Sequence, residues 1–377
     1  MTMKIKEEKI LLKPSDIKPT SSKFEILGVL NPAAIRLDDG RILLCVRVIE
    51  KLKKREDHKY YYVPRFVGKN NFEIKLDKFS KRTVSGEDDM AIMFKDGTKR
   101  LTFISHFRRV FLDKTGMKVK KIEQKPCFYG LANDSGLGVE DPRIVKIDKT
   151  YYMTYVGLSR REGISTYLAS SNDGMNWERK GIIFGEQDKD VVLFPERINN
   201  QYVAFDRPEG NFAFSTPHVW IAYSNDLLHW GGLKAVRFAP KNKNFLRTGA
   251  GPPPIKTNKG WLQIYHAVSN VGIGQNIKKA IKKFFNVEVE HGPTVYDVYA
   301  DLLDLKNPAR VIAKSKTPII TPTKRYETSF EGKRVLFPTG FIQDKNKKDL
   351  LLYCGAGDNS VVVKKVRLRD IFKEFGN

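Results

Sequence analysis

Two stretches of the chain carry the same unusual turn. "STYLASSNDGMNW" (165–177) and "HVWIAYSNDLLHW" (218–230) each read as a strand, then Ser-Asn-Asp, a turn and a tryptophan, and Asp226 follows Asp173 by 53 residues. Asn and Asp side chains bond backbone amides two residues on, and Gly174 accepts a backbone angle closed to most residues. Each copy follows another strand-like run, at 151–158 and 201–208. Similar runs occur at 41–48, 100–107, 261–268 and 350–357, rich in β-branched, aromatic and aliphatic residues and mostly bounded by turn residues. Helical periodicity is confined to "NIKKAIKKFF" (276–285) and the closing "RDIFKEF" (369–375). Short strands in groups of four, recurring about every 40–60 residues, predict an all-β chain folded as a β-propeller, with a β-sandwich as the rival. Trp177 and Trp230 are expected to pack between neighbouring sheets.

In a propeller, polar residues at the ends of inner strands converge on one central funnel. Candidates of this kind are Asn31, Arg47, Asp141, Arg143, Lys189, Asp190, Arg207, Arg247, His266 and Asp358. Any one of them has a structural reading, as an ion pair or a satisfied hydrogen bond. As a set they are unbalanced toward base, with Arg47, Arg143, Lys189, Arg207, Arg247 and an imidazolium at His266 expected to favour an anion. Arginine's planar fork matches phosphate oxygens in pairs, and lysine supplies a point charge. No GxxxxGK[ST] loop is present, which directs the reading to inorganic phosphate or a sugar phosphate rather than a nucleoside triphosphate. The few, singly placed acids suit one proton donor among hydroxyl-binding groups.

Composition narrows the classes further. The 377 residues carry a formal net charge of +24, which points to a polyanionic partner or an anionic substrate. The charge is dispersed over "KLKKREDHK" (51–59), "KVKKIEQK" (118–125), "KKAIKK" (278–283) and "KKVRLR" (364–369), with no nucleic-acid-binding signature. Nucleic acid is therefore not expected as a partner. No apolar run of about 18 residues spans a bilayer and the first residues lack a signal-type apolar core, so the expectation is a cytoplasmic protein without a membrane partner. Cys45, Cys127 and Cys354 are far apart in sequence, and neither a metal site nor a disulfide framework is expected.

Seven stretches, taken together, resemble glycoside hydrolase family 130, the β-mannoside phosphorylases and their relatives. They are "LNPAAIRLDDGRILLCVR", "GVEDPRIVKIDKTYYMTYVGLS", "DKDVVLFPERINNQYVAFDRP", "VWIAYSNDLLHWG", "TGAGPPPIKTNKGWLQIYHAV", "ADLLDLKNPARVI" and "RVLFPTGFI…LLLYCGAGD", which cover most of the chain from Asn31 to Asp358. The resemblance implies a five-bladed β-propeller over residues 1–377. It implies inverting cleavage of a β-mannoside oligosaccharide by inorganic phosphate, the co-substrate, with release of α-mannose 1-phosphate and no other cofactor. It assigns the proton donor to Asp141 of the "EDPR" motif, acting through a sugar hydroxyl, and phosphate binding to Lys189, Arg207, His266 and the nearby Arg247. Asn31, Arg47 and Asp358 match sugar-binding positions; Asp190 joins the substrate-binding set. Within the motif, Glu140 is expected to position sugar hydroxyls, Pro142 to fix the turn, and Arg143 to set the charge and orientation of the Asp141 carboxylate.

Alternatives remain open at this point: a β-mannoside hydrolase on the same scaffold, or a non-catalytic propeller binding carbohydrate or a polyanion. A basic amphipathic insert near 270–295 is expected to pack on the propeller or on a second subunit of a homo-oligomer, and residues 50–125 depart from the family pattern.

Overall fold

The computed structural model describes residues 3–209, 215–236, 245–270, 294–329, 331–344 and 346–376, and the 270–295 insert thus falls almost wholly outside the described residues. The strand-forming runs pair into five antiparallel units of four main strands each. Unit 1 comprises Phe24–Arg36, Ile42–Leu52, Phe103–Leu112 and Val119–Ile122. Unit 2 comprises Gly138–Ile147, Thr150–Leu158, Ile164–Ser171 and Glu178–Phe184. Unit 3 comprises Asp188–Leu193, Tyr202–Pro208, Trp220–Ser224 and Gly231–Ala235. Unit 4 comprises Arg247–Ala250, Gly260–Asn270, Thr294–Leu303 and Val311–Lys314, with Ile255–Thr257 pairing beside it. Unit 5 comprises Arg334–Gln343, Asp349–Ala356 and Ser360–Arg367, and its fourth strand is Glu7–Leu12 from the other end of the chain. A short parallel bridge joins units 4 and 5 into one nine-stranded sheet.

Each seam between consecutive units is filled by a buried apolar cluster. Ala33 and Phe107 meet Val139 and Tyr155 between units 1 and 2. Val145 and Leu168 meet Val191 and Ala222 between units 2 and 3, and Phe194 and Phe205 meet Trp261 and Tyr265 between units 3 and 4. Ile264 and Val298 meet Leu336 and Leu352 between units 4 and 5. Val46 and Val110 of unit 1 return to Leu351 and Val363 of unit 5. Covering both faces explains why the middle strands read as continuous apolar runs rather than alternating ones. Ile42–Leu52 is buried at all but one position, whereas the outer strand Gly231–Ala235 is exposed throughout.

The repeated Ser-Asn-Asp turns are built alike. Ser171 Oγ accepts from Gly174 N at 2.9 Å and Asp173 Oδ1 from Met175 N and Asn176 N at 2.8 Å. Ser224 and Asp226 repeat these bonds to Leu227, Leu228 and His229. The left-handed position is Gly174 in one copy, at φ +71°, and Leu227 in the other, at φ +70°. Trp177 packs in the seam of units 1 and 2, and Trp230 in that of units 2 and 3, as expected. The C-terminal helix is present as Leu368–Lys373.

The poorly matching region 50–125 contains an insertion between the second and third strands of unit 1. It folds as a hairpin, Tyr60–Phe66 with Ile74–Ser80, and a small sheet of Val84–Glu87, Ala91–Phe94 and Lys99–Leu101.

Candidate active site

In units 1, 2 and 3 the first strand breaks register with its neighbour, at Leu30/Ala33, Glu140/Arg143 and Lys189/Val192. Each break holds one residue in the left-handed region: Asn31 at φ +47°, Asp141 at φ +50° and Asp190 at φ +55°. Such a conformation costs a non-glycine residue about 1–3 kcal/mol, least for Asn and Asp, and it gathers at functional sites. The bulge re-aims the side chain out of the sheet's alternation. The sequence therefore uses the residue types that tolerate the geometry at the three positions where it is needed.

The first group centres on Asp141. Its Oδ1 accepts from Asn31 Nδ2 at 2.8 Å and from Arg47 Nη1 at 3.1 Å. Arg47 Nη2 donates to Glu140 Oε1. Burial works against the Arg47 charge, but Glu140, Asp141 and Asp358 outweigh it and keep the guanidinium firmly protonated. Arg47, read as a sugar-binding residue, is thus also the cation that fixes both acids of the motif. Asp141 keeps 16% of its side-chain surface open. Arg143 does not rest on the Asp141 carboxylate as expected. Its Nη1 donates to the Asp141 main-chain carbonyl at 3.0 Å and its Nε to that of Gly251 at 2.9 Å.

Asp358 faces this group from the turn after Asp349–Ala356, also with positive φ, +52°. A cavity of about 590 Å³ opens here, lined by Leu30, Arg47, Met90, Tyr326, Lys333 and Asp358 among others. Asp358 is open to water in this cavity yet ringed by protein, which pushes its carboxyl up against the opposing pull of Arg47 and Lys333. Met90 comes from the insertion in unit 1.

The second group centres on Asp190, which is buried. Arg207 Nε donates to Asp190 Oδ2 at 2.8 Å; His266 Nε2 lies 3.6 Å from the same oxygen and Arg143 Nη2 3.9 Å from Oδ1. Burial alone would raise this carboxyl, but Arg207, His266 and Arg143 hold it well below the usual carboxylate range. Arg207 also donates to Glu209 and stays charged despite its burial. Asp190, read with the sugar-binding residues, is therefore the buried anchor of the basic cluster, and with Glu209 it reduces the expected excess of positive charge. Lys189 is the ladder partner of Arg207, and Arg247 donates to Tyr296 Oη.

His266 is not an imidazolium. Burial, reinforced by Arg207, Arg247 and Arg143 against the pull of Asp190, pushes its pKa down to about 3. It packs edge-on to Phe337, with ring centroids 4.5 Å apart, and Phe337 also lies under Arg143. Among the described residues, three buried polar atoms here lack a hydrogen-bond partner: Arg143 Nη2, His266 Nδ1 and Thr248 Oγ1. Leaving buried donors unmet costs about 1–3 kcal/mol each, so the pocket is built for a polar occupant. Arg143 joins the two groups, touching the main chain of Asp141 on one side and Asp190 on the other.

Several of these groups are not visible as site residues in the sequence. Gly249 has no room for a side chain beside Asp190 and His266, nor Gly355 beside Asn31. Asp188 and Asp206 form a buried pair whose carboxyls are both pushed up, by burial first and, at Asp188, by its neighbour's charge as well; Asp188 Oδ1 accepts from Arg207 N at 3.3 Å. Thr248 is next to the candidate Arg247, Asp206 next to the candidate Arg207, and Glu209 two residues after it; adjacency is the available signal. Among the described residues, no group of three or more His, Cys, Asp or Glu is placed to hold a metal ion, and no helix is long and apolar enough to cross a membrane.

A family profile described as beta-1,4-mannooligosaccharide phosphorylase matches residues 101–375. The chain belongs to glycoside hydrolase family 130. It is 30% identical to a beta-1,2-mannobiose phosphorylase of Listeria innocua over 98% of this chain and 97% of that one. It is 34% identical to a 1,2-beta-oligomannan phosphorylase of Thermoanaerobacter over 69% of this chain and 78% of that one. The solved Listeria innocua enzyme, in complex with beta-1,2-mannobiose, superposes with a TM-score of 0.80 at 30% identity, covering 97% of this chain and 96% of that chain. The family member described here is a glycoside phosphorylase, of a family whose named relatives act on mannosides.

Proposed function

We propose that the chain performs inverting phosphorolysis of β-mannosides, β-1,2-linked ones first, and releases α-mannose 1-phosphate. The five units, each seam packed and the ring returning from unit 5 to unit 1, support reading the fold as a five-bladed β-propeller forming one catalytic domain. The observation that carries the activity is the pairing of one partly open acid with a neighbouring basic pocket of unmet donors, coupled through Arg143.

Phosphate enters the pocket of Lys189, Arg207, Arg247 and His266, where the neutral imidazole and the free Arg143 and Thr248 atoms offer hydrogen bonds. The mannosyl residue lies against Asn31, Arg47, Glu140 and Asp358. A phosphate oxygen attacks the anomeric carbon from the face opposite the leaving oxygen; the C–O bond to the leaving sugar breaks as the bond to phosphate forms. Asp141 gives its proton to a sugar hydroxyl, which passes its own to the leaving oxygen. Phosphate is already an anionic nucleophile, so no second carboxylate is needed, unlike an inverting hydrolase, whose base stands about 6.5–9.5 Å from the acid across a water. The reaction requires no cofactor besides phosphate, and a cytoplasmic setting suits both that co-substrate and a sugar phosphate product.

The test is incubation with β-1,2- and β-1,4-mannobiose, with and without phosphate, with the product anomer read by NMR. α-Mannose 1-phosphate formed only with phosphate is the expected result. Free mannose at a rate indifferent to phosphate would establish the hydrolase instead, and no turnover of any mannoside would sink the enzyme reading of this site.

A further inference from the structure

At the other end of the strands from the acid and the arginines, the protein forms a second recess. It lies where the turn at 257–260 of unit 4, the turn at 346–349 of unit 5 and residues 367–373 come together. Its volume is about 790 Å³, within the span of small-molecule sites. Asp370 beside it stands 3.7 Å from Arg369 Nε and 3.6 Å from Lys373 Nζ, and among the described residues seven lysines and arginines line it against one lining carboxylate, Asp349. That carboxylate is already engaged by Lys6 Nζ at 2.5 Å and Lys365 Nζ at 3.5 Å. Lys259, Lys348 and Arg367 make no ion pair among the described residues.

The sequence run "KKVRLR" (364–369) divides here. Lys364 turns inward to Glu8 and to Glu327, at 2.6 and 2.8 Å, and Lys365 goes to Asp349, while Arg367 and Arg369 face the recess. Lysines on a convex surface separate and are solvated. Cations gathered in a concavity repel one another and focus a positive field, which a bound anion relieves. The recess also offers apolar surface: Leu368 and Phe372 line it, and Lys259 Nζ stands 5.2 Å from the Phe372 ring centre.

We propose that this recess binds a phosphorylated small molecule, its phosphate held by Lys259, Lys348, Arg367 and Arg369 and its ring seated on Leu368 and Phe372. Arginine forks pair with phosphate oxygens two at a time. Gly260, in the turn at the recess, and His266 of the phosphate pocket belong to one strand, six residues apart, or roughly 20 Å. The ligand therefore does not compete with inorganic phosphate at the catalytic pocket, and the proposal stands whether or not the proposed reaction does.

Calorimetric titration of the full chain with ADP and, separately, with glucose 6-phosphate tests this, in inorganic phosphate sufficient to fill the catalytic pocket. Saturable binding of either, one per chain, is expected, and the arm that binds tells a nucleotide from a sugar phosphate. The double variant Lys259→Glu/Arg369→Glu should weaken it at least 10-fold and leave the thermal midpoint and phosphorolysis unchanged. Lys259→Gln/Arg367→Gln, which removes the charges without reversing them, is the second variant should the first not fold. Absence of saturable binding by both compounds, or binding that ignores the variants, overturns the proposal. So does steeply salt-dependent binding of a 20-nucleotide RNA alone, the mark of a general polyanion surface.

Discussion

Two glycines divide the site into halves that can be damaged separately. A Cβ at Gly249 would lie 2.0 Å from Asp190 Oδ2 and 2.5 Å from His266 Cε1. Ordinary contact needs about 3.5 Å, so in Gly249→Ala the carboxylate oxygen retreats by roughly 1 Å or more. Its 2.8 Å bond to Arg207 then passes out of range. A hydrogen bond between charged groups contributes about 1.5–3 kcal/mol, and each 1.4 kcal/mol is about tenfold in affinity. The KM for phosphate should therefore rise about 10–100-fold, with the KM for mannoside changed less than about threefold. Gly355→Ala strikes the other half, because its Cβ would stand 2.0 Å from Asn31 Oδ1 and displace the amide from Asp141. Here kcat should fall while the KM for phosphate holds. Initial rates of mannose 1-phosphate release, with each substrate varied in turn after thermal midpoints confirm folding, separate the two. If Gly249→Ala raises the KM for mannoside and spares phosphate, or both variants share one kinetic signature, the division of the site is wrong.

Other outcomes are equally specific. Asp141→Asn should fold normally and lose about 10²–10⁴ in kcat, the usual worth of a positioned acid; unchanged turnover would remove Asp141 from that role. Lys364→Met should cost about 3–5 kcal/mol in chemical denaturation, because Glu327 is left buried without its cation, and adding Glu327→Gln should recover part of the loss. Stability should also vary with pH, through two overlapping windows of opposite sign. The Asp188 carboxyl, pushed up to about 8 by burial and Asp206, contributes stability present below the ordinary carboxylate range and lost as pH rises through 8. His266, pushed down to about 3, contributes stability present above its ordinary value near 6.5 and lost as pH falls toward 3. The two offset one another between about pH 4 and 6.5, so thermal midpoints should fall from about pH 6.5 through 8 and again below about 4, and Asp206→Asn should lessen the upper fall while burial of Asp188 sustains the rest.

The repeat was legible because one turn recurs with its ligating side chains intact: Ser171 and Asp173 in one copy, Ser224 and Asp226 in the other. The candidate residues were legible as polar types at strand ends, and the structure brings Asn31, Arg47, Glu140 and Asp141 together, and Arg143, Asp190, Arg207 and His266 together. Their pairing was not legible. Which acid meets which arginine depends on bulges that re-aim single side chains, and a bulge leaves no mark on composition. The protonation of His266 was misread for a related reason, since neutrality follows from burial among three arginines distant in sequence. Gly249 and Gly355 matter through space they leave empty, which no residue-type argument detects.

The pairing of Glu7–Leu12 with Ser360–Arg367 has a consequence for how activity is acquired. Asn31 packs on Gly355, and Thr339 Oγ1 donates to the carbonyl of Pro32 at 2.9 Å, so the proton-donor group straddles the seam that this pairing closes. During synthesis the early segment must wait, unpartnered, until residues 360–367 have left the ribosome. Catalytic competence therefore waits for residues 360–367 to be made, and a nascent chain stalled in unit 4 would hold its phosphate pocket without a working acid.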